Sequence, residues 1–399
     1  MQTAIVGGGA AGFFLAVNLK ERAPQMRVVI LEAGQHVLRK VRVSGGGRCN
    51  VTNTFAGVDN LAQVYPRGHR LMKHLLHSFS PQDAYAWFEH HGVPLTIQPD
   101  GCVFPRSQQS QSIIDCLLGH ARRLGVEVVT GQRVTDLDTL HEFDFVAVTT
   151  GGNSFPKSLS EGEGTSDGWV DCCPSLFTFS IDDAVLHTLM GTVVEGVSVQ
   201  LAGTKFRASG PLLVTHWGMS GPSILRLSSY AARHLHDGGY KATLSVNWLS
   251  ATEAEVKAAL RAATASHTQR QVSTQNPFGL SSRLWQYLLQ KAGIAKRWGE
   301  LTAKDQNRLA NLLVNDTYTI SGRAPFRDEF VTCGGVSLSS LNPQTLESRT
   351  RPGTYFAGEV LDIDGVTGGF NFQCAWTTAY VVAQAISRQA QGEASPSPF

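Results

Sequence analysis

Thr3-Ala4-Ile5-Val6-Gly7-Gly8-Gly9-Ala10-Ala11-Gly12 stands at the start of the chain, and its reading decides the fold. The four residues before the glycines predict a buried parallel strand, and a helix is expected after them through about Arg22. Gly7, Gly9 and Gly12 form a Gly-x-Gly-x-x-Gly run in that strand-to-helix setting, with Ala10 and Ala11 inside it. Gly7 permits the tight turn, Gly9 lets a pyrophosphate approach the backbone, and Gly12 lets the helix pack on the strand, with the phosphates at the positive helix N-terminus. A second strand, Arg27 to Leu31, ends at Glu32, where a carboxylate can accept hydrogen bonds from ribose hydroxyls. The pattern predicts a dinucleotide site, and its spacing alone does not separate FAD from NAD.

Three further glycine runs extend the site. Ser44-Gly45-Gly46-Gly47-Arg48-Cys49-Asn50-Val51-Thr52-Asn53 follows the basic stretch Arg39-Lys40-Val41-Arg42 and suits a loop passing close to a flat anionic ligand, with Lys40, Ser44, Gly45, Gly47, Arg48 and Asn50 as candidate contacts. Pyridine-nucleotide disulfide reductases carry two cysteines separated by four residues in a comparable loop, but Thr54 stands where the second would be, so a dithiol mechanism there is excluded. Asp144 to Val148 reads as a buried strand closing on Thr150 and Gly151. Near the C-terminus, a strand from Thr354 leads to Gly358, Glu359 and Asp362. Gly368, Gly369, Phe370 and Asn371 then open a helix expected over about Phe372 to Arg388, whose stripe of Ala375, Ala379, Val382 and Ile386 can pack on the sheet. Asp362 is placed to bind a ribityl hydroxyl. Half-sites at opposite ends of the chain imply a discontinuous cofactor domain, which favours FAD over NAD.

The rest of the chain is consistent with a folded flavoprotein. Its 399 residues allow two or three domains, and 42% hydrophobic against 17% charged residues exclude disorder. No apolar run approaches the ~20 residues that span a bilayer. Lys and Arg total 34 against 32 acids, so a nucleic-acid partner has to be met by a local patch. One such patch lies between Arg39 and Ser78, where the basic residues 39, 40, 42, 48, 67, 70 and 73 face the single acid Asp59; Arg67-Gly68-His69-Arg70 with Lys73 and His74 can meet RNA phosphates. The first strand begins at Thr3, and a cytoplasmic location is expected. Seven cysteines without Cys-x-x-Cys or zinc-ligand spacing argue against a disulfide framework or a structural zinc, and no metal is expected.

The middle of the chain changes character. Apolar-alternating runs from about Phe179 to Leu249, among them Val193 to Leu201, Leu212 to Thr215 and Ala242 to Trp248, predict β structure. Residues 251–311 predict helices at Thr252 to Leu260, Ser281 to Gly293 and Ala303 to Leu313. A helix is also expected from Pro81 to Gly92. Gly162, Gly164 and Gly168 lack strand, turn and helix order, so no separate nicotinamide domain is expected.

Taken together, Gly7 to Gly12, the Ser44 to Asn50 run with Thr52-Asn53, Thr215-His216-Trp217-Gly218-Met219-Ser220-Gly221-Pro222, Gly334-Gly335-Val336, and Ala357-Gly358-Glu359 through Asn371 resemble the BaiN-like, or aminoacetone-oxidase-like, family of NAD(P)/FAD-dependent oxidoreductases over essentially the whole chain. The resemblance implies an α/β, Rossmann-type FAD domain of the two-dinucleotide-binding kind, interrupted by an inserted β-barrel-like domain with a small helical subdomain. The expected division is 1–185 and 322–399 for the FAD domain, 186–250 and 312–321 for the barrel, and 251–311 for the helices. It implies FAD as cofactor, NAD(P)H as transient electron donor, and an activated C=C bond as acceptor, with uridine of 23S ribosomal RNA among the family's substrates beside small-molecule enones and aminoacetone. A non-catalytic, flavin-dependent binder of RNA or protein is the competing class. Two catalytic candidates follow. Cys49, beside Arg48, is expected to gain thiolate character and exchange a proton with substrate, a buried structural cysteine being the alternative. His216, in the loop of the insert, can donate to a substrate carbonyl or simply cap a turn.

Overall fold

The computed structural model describes residues 1–152, 168–324 and 331–392, and the chain divides into two compact units, Met1–Ser175 with Phe326–Phe399, and Leu176–Pro325. The expected Gly162 and Gly164 loop lies outside the described residues.

The first unit is built on a five-stranded parallel sheet in the order Thr354–Phe356, Phe145–Val148, Gln2–Val6, Arg27–Glu32, Glu127–Thr130. Ala4 and Ile5 in its central strand are fully buried, as continuous apolar runs require when both sheet faces are covered. Val6 lies in register with Leu31 on one side and Val148 on the other, so the glycine turn, Glu32 and Thr149 all emerge at the same C-terminal edge, the edge where open α/β sheets bind ligands. Two helices, Ala10–Arg22 and Gly368–Ala390, pack against each other through Phe14 and Trp376, whose ring centroids are 5.1 Å apart. The second helix begins at Gly368, earlier than expected, because Thr367 takes the extended N-cap position and puts both glycines in the first turn. A three-stranded antiparallel sheet, Thr52–Asn53, Cys102–Pro105 and Leu95–Ile97, and the helix Pro81–His90, started by a Ser80–Asp83 capping box, complete this layer. A strand pair, Trp169–Ser175 with Val331–Val336, places Cys173 opposite Cys333, and all seven cysteines are free thiols.

The second unit is a closed six-stranded barrel in the order Val193–Leu201, Arg207–Thr215, Gly218–Ser220, Phe179–Ile181, Asp316–Arg323, Ala242–Asn247. Phe179–Ile181 is needed to close it, although it falls within residues expected in the FAD domain. Helices Glu253–Ser266, Ser282–Lys291 and Ala303–Val314 form the helical part. Inside the stretch expected to be β lie two helices, Pro222–Tyr230 and Ala232–Asp237. Pro222 at the first helical turn after Gly221, and Ile224 and Leu227 buried three residues apart, are the physical cause of the first. Asp316, fully buried, accepts from Trp248 Nε1 at 3.0 Å, from Lys291 at 2.5 Å and from the Tyr318 hydroxyl, tying helix to barrel. Among the described residues no helix is long and apolar enough to cross a membrane.

Candidate functional site

The three motif glycines do different things. A Cβ on Gly7, whose φ is +115°, would lie 2.5 Å from the Thr149 carbonyl oxygen, and one on Gly12 would lie 2.1 Å from the Gly7 oxygen. These two are required by packing. A Cβ on Gly9 would meet no protein atom within 4 Å, so this residue faces open space directly ahead of a helix with no acid in its first turn and no side-chain cap. Glu32 ties the loop to the second strand: one carboxylate oxygen accepts from the Gly8 N–H at 2.8 Å and the other from the Gly34 N–H at 2.7 Å. Each oxygen keeps a lone pair for a further donor. Thr149, the neighbour of the expected Thr150, donates through its hydroxyl to the Gly7 carbonyl at 2.9 Å and locks the turn. The only signal for it was a hydroxyl at the end of the third strand.

The glycine-arginine-cysteine-asparagine run is a backbone arch. A helical segment opening at Arg39 breaks at Ser44 (ψ 147°), after which Gly45, Gly46, Gly47 and Cys49 have φ of +57°, +67°, +82° and +60°. Gly46 and Gly47 face open space. Arg48 lies over the Phe104 ring at 4.3 Å and donates to the Gly45 carbonyl at 3.2 Å. Cys49 is fully buried, and burial pushes its thiol up to about 12 against an opposing hydrogen bond with Ser44. The expected gain in thiolate character beside Arg48 is therefore overturned: desolvation disfavours the anion more than its surroundings favour it. The Asn50 amide is oriented by its hydrogen-bond network, its nitrogen donating to the Thr52 carbonyl at 2.8 Å and its oxygen accepting from the Gly369 N–H at 3.2 Å.

Gly369 belongs to the other end of the chain, and more contacts join the four glycine runs. A Cβ on Gly358 (φ +79°) would lie 2.8 Å from the Ala11 Cβ, and the Gly358 N–H donates to the Thr378 hydroxyl at 2.9 Å. Lys40 pairs with Glu359, whose other oxygen accepts from the Thr332 N–H at 2.9 Å, and a Cβ on Gly151 would lie 3.7 Å from the Glu359 carboxylate. Asp362 accepts from the Gly334 N–H at 3.1 Å. Asn371 spends its amide on the loop before it, donating to the carbonyls of Gly365 (2.9 Å) and Thr367 (2.8 Å) and accepting from the Gly365 N–H at 2.9 Å. Phe370 packs edge-on against Phe55 and Tyr65, and the Tyr65 hydroxyl donates to its carbonyl at 2.8 Å. The Thr367 hydroxyl, at the start of the C-terminal helix, is buried without a hydrogen-bond partner.

His216 and Arg67 have surroundings of their own. His216 is an exposed residue of the second unit, on the tight turn between Arg207–Thr215 and Gly218–Ser220, with its ring edge-on to Trp217 at 4.3 Å. Arg67, expected on a phosphate-binding face, is drawn inward by the fully buried Asp364, which also accepts from Ser175 at 2.6 Å. A charge buried in Asp364 requires a paired cation, which explains the difference. Arg39, Arg42, Arg70, Lys73 and His74 stay exposed.

An open glycine ahead of a bare helix N-terminus, a left-handed glycine arch and a second helix start with an unpartnered buried hydroxyl fit a dinucleotide bearing a flat ring system. Residues 1–385 match the family described as HI0933-like protein Rossmann domain. The chain belongs to this HI0933-like family. It is 30% identical to the ribosomal RNA dihydrouridine synthase of Escherichia coli (strain K12), over 95% of this chain and 96% of that protein. It is 26% identical to the 3-dehydro-bile acid delta(4,6)-reductase of Clostridium scindens, over 96% and 98% of the two chains. Among solved structures it is similar to 3-ketosteroid delta1-dehydrogenase from Sterolibacterium denitrificans (TM-score 0.47, 11% identity, 97% of this chain and 99% of that one). It is also similar to a flavocytochrome c3 fumarate reductase (TM-score 0.44, 14% identity, 98% and 78%). This HI0933-like protein is a FAD-dependent oxidoreductase. Gly7 to Gly12 with Glu32, the Ser44 to Asn50 arch with Lys40, Thr150 and Gly151, and the segment from Gly358 to Asn371 are the residues that would hold FAD.

Proposed function

We propose that this HI0933-like protein takes hydride from NAD(P)H and reduces an activated C=C bond, with a uridine of 23S ribosomal RNA as the substrate. The observation that carries this reading is the match to the E. coli ribosomal RNA dihydrouridine synthase along 95% of the chain. The exposed Arg39, Arg42, Arg70, Lys73 and His74 supply positive charge for RNA phosphates. FAD, when bound, supplies the hydride chemistry. The chain's share is to bind and orient both partners and to supply a proton: hydride reaches C6 of the uracil and a proton C5, after the base has left its stack. The bile-acid reductase relative supports a second reading, in which the C=C bond belongs to a small-molecule enone.

Cys49 is a protonated thiol at neutral pH and is sealed from solvent, so as a proton donor it acts only if substrate or cofactor reaches it. Cys49→Ala in a folded, FAD-loaded protein is expected to cut product formation about 100-fold if the thiol is the general acid. An unchanged rate removes that role and leaves His216→Ala as the next variant. Substrate class is tested by mass spectrometry of nucleosides from 23S ribosomal RNA with and without the gene. Loss of dihydrouridine, restored by the intact gene, is expected. Unchanged dihydrouridine overturns the RNA reading, and anaerobic assays of NADH or NADPH with enones then decide the second.

A further inference from the structure

Away from the glycine loops, three helices of the first unit end at one place. Glu21 is in the last turn of Ala10–Arg22, His91 caps the C-terminus of Pro81–His90, and His120 is in the last turn of Gln111–Arg123. One ligand atom from each lies within 4.8 Å of the others. An acid in a last turn opposes the helix dipole, and three C-termini together concentrate negative partial charge; both favour a cation at the meeting point.

The rings are already oriented. His91 Nδ1 is 2.7 Å from the Trp87 carbonyl and its ring is stacked on the Trp87 indole at 3.7 Å, with 7% of the side chain exposed. A carbonyl can only accept, so Nδ1 carries a proton and Nε2 faces the Glu21 carboxylate at 3.0 Å. In the neutral ring that contact sets a lone pair against a carboxylate, and only a proton or a cation between them makes it favourable. His120 Nε2 faces the Arg123 guanidinium at 2.6 Å, which can only donate. Its ring nitrogen therefore presents a lone pair, now held by an exposed arginine.

We propose that Glu21, His91 and His120 bind a zinc-class divalent cation, with Arg123 as its intramolecular competitor and a fourth position open to water. Zinc takes imidazole nitrogen and carboxylate oxygen at roughly 2.0–2.2 Å in a tetrahedral shell, which sets ligand atoms ~3.4 Å apart. The cluster needs only a small contraction and a swing of Arg123. The backbone carbonyl on His91 Nδ1 is the outer-shell partner that metal-bound histidines use. The exposed Glu21 side of the cluster gives access from solvent. The site would pin three helix ends and leave the flavin loops untouched.

The test is calorimetric titration of metal-stripped, FAD-loaded full-length protein with zinc chloride, with cobalt(II) absorbance as a second readout. One equivalent should bind, and cobalt should show no thiolate charge-transfer band, which excludes the seven cysteines. Glu21→Gln and His120→Asn should each weaken binding about tenfold or more, and Arg123→Ala should tighten it. That tightening is an effect no purely structural role of Arg123 produces. Glu21 is exposed, so Glu21→Gln stays informative even if a histidine variant fails to fold. Absence of stoichiometric binding, a thiolate band, or wild-type affinity in Glu21→Gln overturns the proposal.

Discussion

A single methyl group separates the two jobs of glycine in the first loop. Gly12→Ala places its Cβ 2.1 Å from the Gly7 oxygen, so the loop must shift, and we expect a stability loss of about 1–3 kcal/mol with loss of FAD. Gly9 has φ of −89°, which any residue adopts, and open space ahead of it. Gly9→Ala should therefore keep wild-type stability to within about 0.5 kcal/mol and still bind FAD roughly tenfold or more weakly. Thermal unfolding and flavin fluorescence titration of the two variants check this; a Gly9→Ala protein with wild-type FAD affinity would show that the phosphates lie elsewhere. The sequence made the glycines legible because strand, turn and helix agree over a short window. It did not make Thr149 legible, since a hydroxyl at a strand end declares its partner only when the strand beside it is known.

Among elements, helix starts were the most legible feature. Ser80 with Asp83, Thr252 with Glu255 and Thr302 with Asp305 all form reciprocal caps. The last is also an electrostatic knot: Asp305 accepts from Lys296 at 2.9 Å, the Thr302 hydroxyl at 2.8 Å and Arg308 at 2.8 Å. Lys296 first, then Thr302, hold its carboxyl well below the usual carboxylate range. Because the folded pKa lies below the unfolded value of roughly 3.9, the stabilisation is complete above that pH and fades as pH falls toward the folded value. The melting-temperature gap between wild type and Asp305→Asn should thus be widest at neutral pH and narrow below about pH 4; a gap independent of pH would sink the assignment. Pro222–Tyr230 was not legible, because a short helix between barrel strands carries too few turns for its period to outweigh the alternation around it. Arg67 belongs at this scale too, since it couples the segment before His69–Leu75 to the loop before the C-terminal helix. Arg67→Met leaves the buried Asp364 carboxylate without its paired guanidinium, and denaturant unfolding should show a loss of about 3–5 kcal/mol.

At the scale of the molecule, the first unit is one site made by two distant ends of the chain. The glycine motifs announced both halves, but Lys40 with Glu359, Asn50 with Gly369 and Gly358 with Ala11 are pairings that only a folded sheet and its two packed helices bring about. No local pattern encodes a contact between residues so far apart. The same was true of the Glu21, His91 and His120 cluster, whose members have no metal-ligand spacing in the sequence. A site assembled from both ends ties cofactor binding to the folding of the whole unit, because an unfolded chain holds its halves apart. Free FAD at about 100 times its dissociation constant should then stabilise the unit by roughly 2.7 kcal/mol, with each further tenfold adding about 1.4 kcal/mol. Melting temperature measured against FAD concentration should climb in the wild type, and Gly9→Ala should start at the same apo value and climb only at roughly tenfold or more higher FAD. A wild-type protein whose melting temperature ignores FAD would contradict a cofactor held between the two ends. A Gly9→Ala protein with a lowered apo value would instead mean that the open face of the first loop is needed for folding.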